Sequence, residues 1–300
     1  MQQNKITKAV IVAAGFGTRF LPASKVIPKV MFPVIDKPII QLVVEEMVES
    51  GITDITIVVS RFTKSIIESH FRPFAALNEL LISSGKTIIA DELKKIENSA
   101  KFTFVEQKPG RIGTGMALLS VRELMGEEPF ILSWSDEFYK ASPTRPAQLM
   151  AVYEKYGGPV VGCIRTNDPK CGARFGFVVG ETLPDGVIKA SQIIEKPGEG
   201  KAPSEMATMS GQVITPEIFK YLDKAVKEYP PGKEIYWNEA GLCPMLKDGL
   251  PVYALEYKNC CFYNTGDKFG YLKTLVEIGL KSPDFGEKFK EYLKIKASIL

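Results

Sequence analysis

The sequence predicts an α/β protein whose mixed, mostly parallel sheet is flanked by helices. Three observations support this fold class. Short apolar runs, typical of strands buried on both faces, alternate with helical patterns through the first half of the chain. This β-α-β-α order implies parallel strands joined by right-handed crossovers. Polar clusters follow three of the strands, at the edge where sheets of this kind bind ligands. The expected architecture is therefore Rossmann-like.

The elements of the first half are inferred from apolar runs and from the residues that bound them. Pro38 suits the first turn of a helix over 37–51, and Gly51 suits its end. We predict strands over 8–14, 54–60, 101–107 and 129–137, and helices over 37–51, 63–70, 73–83, 88–97 and 113–126.

In the second half, strands joined by short loops replace this regular alternation. We predict strands over 159–165, 175–181, 186–197, 207–215 and 251–256, and helices over 216–229, 234–249 and 267–297. The chain contains no repeat and no flexible linker, so we predict a single domain over 1–300 whose pattern changes after residue 156.

Composition argues against several classes of function. The 300 residues are 45% hydrophobic and 24% charged, as in ordinary soluble globular proteins. A net charge of +3 gives no reason to expect nucleic acid or a membrane surface as a partner. No apolar stretch approaches the ~20 residues of a membrane helix. The five cysteines form no Cys-x-x-Cys pair and the chain has one histidine, so zinc ligation is poorly supported. We expect reduced thiols and a cytoplasmic location.

A glycine-rich stretch, Gly15-Phe16-Gly17-Thr18-Arg19, follows the first predicted strand. Glycines let a ligand approach the backbone, and consecutive exposed amides form an anion-binding nest. A dinucleotide fingerprint is disfavoured, because Phe20 occupies the third glycine position and the prolines that follow predict an extended loop. Arg19, Lys25 and Lys29 favour a phosphate ligand over the alternative, a simple turn after a strand.

Charged side chains also stand at two other strand ends. Asp136, beside Glu137, offers the hard oxygen ligands that Mg²⁺ prefers, although a lone strand-end aspartate can also be a simple cap. Glu195 and Lys196 close an apolar strand, and adjacent strand residues point to opposite faces. Both can reach one ligand only if a loop starts at Pro197; the alternative is an exposed ion pair.

Together these motifs resemble those of a known family. The segments AAGFGTRFLPASKVIPKVMFPVIDKPIIQ, EQ…GTGMA, SDE, IIEKP…APSEMA and NTGDKFGYL occur in the order found in the sugar-1-phosphate nucleotidylyltransferases. Within that family the chain is most similar to the bacterial glucose-1-phosphate uridylyltransferases, over about residues 6 to 280. The resemblance implies the nucleotide-diphospho-sugar transferase fold. It also implies a nucleotide-binding half (1–156), a sugar-binding half (157–256) and C-terminal helices (257–300) that are a candidate oligomer interface.

The resemblance implies a reaction as well. Members of this group transfer UMP from UTP to α-D-glucose 1-phosphate by Mg²⁺-assisted in-line attack, giving UDP-glucose and pyrophosphate. The sequence offers no plausible Ser-His or Cys-His pair, which fits a mechanism of positioning and charge stabilisation. Two alternatives stay open: the same chemistry with dTTP, CTP or another sugar 1-phosphate, and a regulator that binds nucleotide sugars without turnover. A homodimer or homotetramer is implied.

By similarity, individual residues take individual roles. The backbone of Ala13, Ala14, Gly15 and Gly17 would lie near the nucleotide, Arg19 would hold the β- and γ-phosphates, and Lys29 would neutralise charge near them. Gln107 and Gly113 would bind the pyrimidine, Asp136 would bind Mg²⁺ with Asn264 as a weaker ligand, Gly176 and Glu195 would bind sugar hydroxyls, and Lys196 would hold the sugar phosphate.

Several positions depart from the family pattern, and they bear on the base and the sugar. Val30 replaces a common glutamate, Thr114 and Met116 alter the usual GLGHA, Ser210-Gly211 replaces Gly-Arg, and Asn264 replaces a metal-binding aspartate. EIYWNEA over 234–240 replaces EIQLTDA on the sugar side. Trp134 and Trp237 are candidates either for the core or for the lining of a pocket, and Trp237, in this altered segment, is the more suggestive.

Overall fold

The computed structural model describes residues 5–299. Its strands are β1 (Lys8–Ala13), β2 (Pro33–Val34), β3 (Lys37–Pro38), β4 (Asp54–Val59), β5 (Lys101–Glu106), β6 (Phe130–Trp134), β7 (Glu137–Ala141), β8 (Val160–Arg165), β9 (Gly176–Thr182), β10 (Ile188–Glu195), β11 (Met206–Ile214), β12 (Tyr253–Glu256) and β13 (Cys260–Asn264). Its α-helices are α1 (Ile39–Glu49), α2 (Lys64–Phe71), α3 (Ala75–Ser83), α4 (Thr87–Glu97), α5 (Thr114–Met125), α6 (Arg145–Tyr156), α7 (Ile218–Glu228), α8 (Cys243–Lys247), α9 (Lys268–Leu280) and α10 (Gly286–Ala297). In this part of the chain, none of the helices has the length and apolar character that crossing a bilayer demands.

The parallel half of the predicted sheet is confirmed. Four strands lie in the order β5-β4-β1-β6, and each neighbouring pair is parallel. Strand β1 is buried on both faces, because Ala9, Ile11 and Ala13 belong to one core and Val10 belongs to the other. Side chains of α1 and α6 contribute to the first core, and those of α5 and α7 to the second. The continuous apolar run of β1 thus reflects burial between two helical layers.

The same sheet continues through β11-β8-β12-β10-β9, so that nine strands form one sheet. Strand β11 is antiparallel to β6 and to β8, whereas β12 is parallel to β8. The β9–β10 hairpin is antiparallel, and Phe177 of β9 also pairs with Ala207 of β11. Strands β1, β4, β5, β6, β8 and β12 therefore share one direction, in agreement with the mixed, mostly parallel α/β class.

The carboxyl ends of these parallel strands form one edge of the sheet. Ala13 pairs with Val59, Val59 pairs with Glu106, and the first residue of β11, Met206, pairs with Arg165 at the end of β8. The loops after β1, β4, β5 and β6 therefore meet at this edge. The polar clusters that the sequence places after the strands share it.

The strand predicted over 129–137 was placed too far at its C-terminal end. Strand β6 stops at Trp134, and the chain turns through Ser135 and Asp136 into β7, which pairs antiparallel with β13. Neither β7, β13 nor α6 was predicted. Glu137 pairs with Asn264 in this ribbon, so the C-terminal part of the chain reaches the end of β6.

Two predicted helices also differ from the structure. Residues 234–236 are extended, because Ile235 N donates to Ile112 O at 2.9 Å and Ile235 O accepts from Gly115 N at 2.8 Å. A π-helical turn over Asn238–Leu242 follows and leads into α8. The helix predicted over 267–297 is two helices, α9 and α10, and Pro283 lies in the break between them.

Candidate active site

The glycine-rich loop folds back on itself after β1. It was predicted to be extended, but it contains three short 3₁₀ turns, at Thr18–Phe20, Ala23–Lys25 and Lys29–Met31. Gly17 has a φ of +61°, and its carbonyl accepts a hydrogen bond from Ser24 Oγ at 2.8 Å. A Cβ at Gly17 would lie 3.0 Å from Lys29 Cβ, so the loop packs Lys29 directly against its glycine. This fold brings Lys29 to the sheet edge and leaves Lys25 exposed.

Lys29 and Asp136 form an ion pair at the centre of the predicted phosphate site. Lys29 Nζ lies 2.5 Å from Asp136 Oδ2, and the two side chains are 12% and 40% exposed. Arg19 Nη1 donates to Gly266 O at 3.3 Å, and Asn264 Oδ1 accepts from Gly266 N at 2.8 Å. The structure therefore brings together Arg19, Lys29, Asp136 and Asn264, four residues that the sequence placed in one site.

This cluster can be tested for its fit to Mg²⁺. An added Cβ on Gly266 would lie 3.1 Å from Asn264 Oδ1, 3.9 Å from Asp136 Oδ2 and 4.0 Å from Arg19 Nη1, so the oxygens of Asp136 and Asn264 converge. Residues 5–299 contain no group of three or more His, Cys, Asp or Glu side chains suited to a metal. Mg²⁺ commonly binds through one or two protein oxygens, several waters and substrate phosphates, and this donor set fits that mode.

The predicted nucleotide residues line the neighbouring strand ends. Ala13 ends β1 and Ala14 follows it, while Gly15 is exposed and has open space where a Cβ would stand. Gln107 follows β5, and its backbone N–H donates to Val59 O at 2.9 Å across the end of β4. The loops after β1 and β5 therefore flank the end of β4 on either side, as a nucleotide site at this edge requires.

Gly113 performs a structural task that the sequence did not indicate. Its φ is +119°, and an added Cβ would lie 2.3 Å from Ile235 O. Only glycine therefore lets the start of α5 pair with the extended segment 234–236. Because Trp237 N also donates to Thr114 Oγ1 at 3.3 Å, the loop predicted to bind the pyrimidine and the segment predicted to line the sugar site are joined here.

A cavity of about 230 Å³ lies beside Asp136 at the same edge. It is lined by predicted sugar-site residues and by others that the sequence did not single out, including Gly176, Glu195, Lys196, Thr208, Trp237 and Asn238. Glu137, the neighbour of Asp136 in the chain, lines it too. The predicted sugar site therefore reaches the residue that follows Asp136 in the chain. Trp237 lines this cavity and also belongs to the second core, so both interpretations of that residue hold.

The backbone at Lys196 decides how the Glu195–Lys196 pair can act. Strand β10 ends at Glu195, and Lys196 has a φ of +43°, in the left-handed region that most residues avoid. Lys196 Nζ consequently lies 3.4 Å from Glu195 Oε1, instead of on the opposite face. The condition set by the sequence, that the strand end before Pro197, is met.

Gly176 makes room for the Glu195 carboxylate. An added Cβ on Gly176 would lie 2.8 Å from Glu195 Oε2 and 2.9 Å from Thr208 Oγ1. Asn238 Nδ2 donates to the same Oε2 at 2.7 Å. Sequence reasoning missed Thr208 and Asn238, and for Asn238 the only signal was its position in the altered segment 234–240.

Glu137 is the titratable group of the cavity with the largest perturbation. Its Oε1 accepts hydrogen bonds from Tyr139 Oη at 3.0 Å and from Ser210 N at 3.1 Å. Burial, followed by the charge of Asp136, raises the pKa of Glu137 to about 7, while Arg145 and the two hydrogen bonds oppose the shift. A carboxyl with this pKa changes charge near neutral pH.

A buried arginine supports this part of the cavity from behind. Arg145 is 0% exposed; its Nη2 lies 2.5 Å from Glu46 Oε2, and its Nη1 donates to Ser210 O at 2.6 Å. Its guanidinium carbon lies 3.4 Å from the centre of the Tyr139 ring. Arg145 therefore contacts both Tyr139 and Ser210, the two residues that donate hydrogen bonds to Glu137. No sequence motif pointed to Arg145.

Comparison with known proteins gives the class to which this fold and site belong. The nucleotidyl transferase family model matches residues 8–267, and the chain therefore belongs to that family. This confirms the family that the motifs predicted.

Individual relatives within the family carry names that specify the reaction more closely than the family model does. The UTP–glucose-1-phosphate uridylyltransferase of Staphylococcus epidermidis is 36% identical over 97% of this chain and 98% of its own length. A solved UTP-bound UGPase from Acinetobacter baumannii is similar with a TM-score of 0.85 and 30% identity, covering 96% of this chain and 98% of that one. A solved UDP-glucose pyrophosphorylase complexed with UDP-glucose has a TM-score of 0.79 and 31% identity, and the match covers 92% of this chain and 100% of that one.

Proposed function

We propose that this protein transfers UMP from UTP to α-D-glucose 1-phosphate, forming UDP-glucose and pyrophosphate. The observation that carries the proposal is the placement of two charged clusters: Lys29 with Asp136 after β6, and Glu195 with Lys196 in a cavity that Glu137, the residue after Asp136, also lines. The names of the similar uridylyltransferases and the ligands of the similar solved structures support UTP and UDP-glucose as the nucleotides.

In this reaction an anionic oxygen of glucose 1-phosphate attacks the α-phosphorus of UTP in line. The new P–O bond forms as the α–β bridging bond breaks, and pyrophosphate leaves with the bridging oxygen. The attacking oxygen needs no general base, so the protein acts by positioning and by stabilising charge. Arg19 and Lys29 hold the triphosphate, and Lys196 holds the sugar phosphate beside Glu195.

The nucleotide is held by the loops at the ends of β1 and β5. The backbone of Ala13, Ala14, Gly15 and Gly17 approaches the phosphates and ribose, because none of these residues has more than a methyl side chain. Gln107 and the backbone of Gly113 bind the pyrimidine edge. An amide side chain and a backbone group can pair with the uracil edge. The uridylyltransferase relatives and the UTP-bound solved structure are the reason that we propose UTP ahead of CTP.

Mg²⁺ is part of the proposal. Asp136, with the weaker amide oxygen of Asn264, would hold the ion, which supplies electrostatic stabilisation of phosphate charge. Lys29 Nζ orients the Asp136 carboxylate in the free protein. We expect a chelator to abolish pyrophosphate release and excess Mg²⁺ to restore it; release that persists in chelator would remove Mg²⁺ from the mechanism.

Pyrophosphate release provides the decisive assay. Wild-type protein is incubated with Mg²⁺ and each NTP against a panel of sugar 1-phosphates. Release with UTP and glucose 1-phosphate supports the proposal, and release only with another pair selects that nucleotide or sugar. If folded protein binds nucleotide but releases no pyrophosphate with any pair, the protein is a regulator that binds nucleotide sugars without turnover. The replacement of a metal-binding aspartate by Asn264 favours that alternative.

A lysine variant tests the role of the sugar cavity. Lys196→Ala should raise the KM for glucose 1-phosphate about 10- to 100-fold and leave the KM for UTP within about twofold, since a charge-assisted contact to one substrate is lost. Lys189→Ala is the matched control, because Lys189 is an exposed lysine of β10, the strand that ends just before Lys196. Equal KM values for Lys196→Ala and the control would contradict the assignment.

The chain is also proposed to form a homo-oligomer in the cytoplasm. All five cysteines are free thiols, as in proteins of reducing compartments. Helix α9 exposes Phe269, Leu272, Val276 and Leu280, and this apolar face is the interface we propose for a second copy of the chain. Light scattering should give a dimer or tetramer for wild type and a smaller species for Leu272→Glu. Identical masses for the two proteins would rule out this interface.

A further inference from the structure

Asn238 is the first residue of the helical turn that follows the extended segment 234–236, and both ends of its amide form hydrogen bonds. Its Nδ2 donates to Glu195 Oε2 at 2.7 Å, and its Oδ1 accepts from Glu239 N at 3.0 Å. The residue is 5% exposed. We propose that Asn238 is a positioning residue for the sugar phosphate: it holds the Glu195 carboxylate where that carboxylate accepts a sugar hydroxyl. This inference rests on the proposed function.

Two contacts hold the carboxylate in the free protein. Asn238 holds Oε2, and Lys196 Nζ lies 3.4 Å from Oε1. In the proposed reaction Lys196 turns towards the sugar phosphate, so its hold on Glu195 weakens when the substrate arrives. Asn238 carries no charge and has no second ligand in the reaction, so its contact remains. Oε1 then has its lone pairs free for a hydroxyl donor.

The space around Oε2 leaves the carboxylate little freedom to reorient. The position of a Cβ at Gly176 would be only 2.8 Å from that oxygen, which shows how closely the carboxylate packs on the backbone of β9. Thr208 Oγ1 lies 2.9 Å from the same Cβ position, so it borders the same small space. Oε2 is therefore fixed by the amide of Asn238 inside a space bounded by β9 and β11.

The backbone that carries Asn238 is unusual and well anchored. Asn238 begins the π-helical turn that ends at Leu242, and π-turns are rare and occur frequently at functional sites. The residue before it, Trp237, donates its N–H to Thr114 Oγ1, and Ile235 pairs with the backbone beside Gly113. One segment thus connects the base-side loop to the sugar carboxylate, so Asn238 is placed by the nucleotide half of the site.

Asn238→Asp separates this role from a local structural one. Aspartate keeps the size of the side chain and an oxygen that accepts from Glu239 N, but it replaces the amide donor with an oxygen that faces the Glu195 carboxylate. We expect the KM for glucose 1-phosphate to rise about 10- to 100-fold and the KM for UTP to stay within about twofold. Asn98→Asp, an exposed asparagine at the end of α4, is the matched control and should behave as wild type.

The Glu195→Gln background completes a double-mutant cycle. A glutamine amide at position 195 can donate to the carboxylate that Asn238→Asp introduces. In that background, Asn238→Asp should therefore change the KM for glucose 1-phosphate by no more than about twofold. A penalty that is the same in both backgrounds would overturn the positioning role, because it would not pass through Glu195. If the aspartate variant fails to fold by circular dichroism, Asn238→Ala is used in the same cycle.

The outcomes separate this inference from the proposed function. If wild-type protein releases no pyrophosphate from UTP and glucose 1-phosphate, the proposed function fails, whatever the variants do. If wild type is active and Asn238→Asp retains its KM for glucose 1-phosphate, the positioning role of Asn238 is wrong. Equal increases in both KM values would indicate a merely structural residue and would also overturn it.

Discussion

Replacing Arg145 by methionine should destabilise the protein far more than removal of a surface charge. Methionine retains much of the buried volume but loses the contacts of Arg145 to Glu46 and to Ser210 O. The Glu46 carboxylate then remains buried without its cation. Removing one partner of a buried ion pair costs about 3–5 kcal/mol, and we expect the free energy of unfolding to fall by that amount.

Arg122→Met provides the matched control. Arg122 also pairs with a carboxylate, Asp223, and also lies over an aromatic ring, Phe219, but its side chain is exposed. Exposed pairs contribute about 0–1 kcal/mol, so this variant should lie close to wild type. Urea unfolding followed by circular dichroism measures all of these free energies.

A double replacement makes the reasoning sharper. In Glu46→Leu with Arg145→Met both charges are gone, and an apolar pair of similar volume is often no less stable than the ion pair. The double variant should therefore recover most of the loss. The reasoning is refuted if Arg145→Met lies within about 1 kcal/mol of wild type, or if the double variant is no more stable than the single one.

Three further results are expected. Gly113→Ala should cost about 3 kcal/mol by urea unfolding, whereas Gly110→Ala, with a similar φ of +116° but open space around it, should cost about 1–2 kcal/mol; equal losses would contradict the contact with Ile235. Glu137 has a pKa of about 7 in the folded chain and an ordinary pKa of 4.5 when unfolded, so between pH 4.5 and 7 the folded chain holds a proton that the unfolded chain has lost. The free energy of unfolding should therefore fall as pH rises through that window. Glu137→Gln should remove this dependence, and an unchanged pH profile would exclude Glu137 as its source. Asp136→Asn should abolish pyrophosphate release without changing the urea midpoint, and a fully active variant would exclude Asp136 from the site.

The parts of the fold predicted correctly were those that the local sequence determines. Strand β1 could be recognised because burial on both faces demands a continuous apolar run, and the same holds for β4. Ribbon β7–β13 could not be recognised, because each short strand is defined by a partner more than a hundred residues away in the chain. Tertiary pairing also overrode local pattern at Ile235, whose backbone bonds to residues 112 and 115 replace those of a helix.

The candidate site shows the same division. Arg19, Lys29 and Asp136 could be brought together from topology alone, since loops at the carboxyl ends of parallel strands share an edge. That the strand ends before Pro197 could be stated only as a condition, and the left-handed backbone of Lys196 was not predicted, because a non-glycine residue gives little sign of that conformation. Asn238 and Arg145 were missed because each acts through a contact that exists only in the folded chain.

The contacts of Arg19 with Gly266 O and of Thr265 Oγ1 with Asp136 O have a consequence for biosynthesis. Arg19 leaves the ribosome well before Gly266, because Arg19 follows β1 and Gly266 follows β13. The parallel strands of a nascent polypeptide can form early, yet the proposed triphosphate site stays incomplete until the segment after β13 has been made. Catalytic competence should thus appear late and abruptly during translation, and ribosome-arrested chains that stop before residue 260 should be folded in their parallel half and inert.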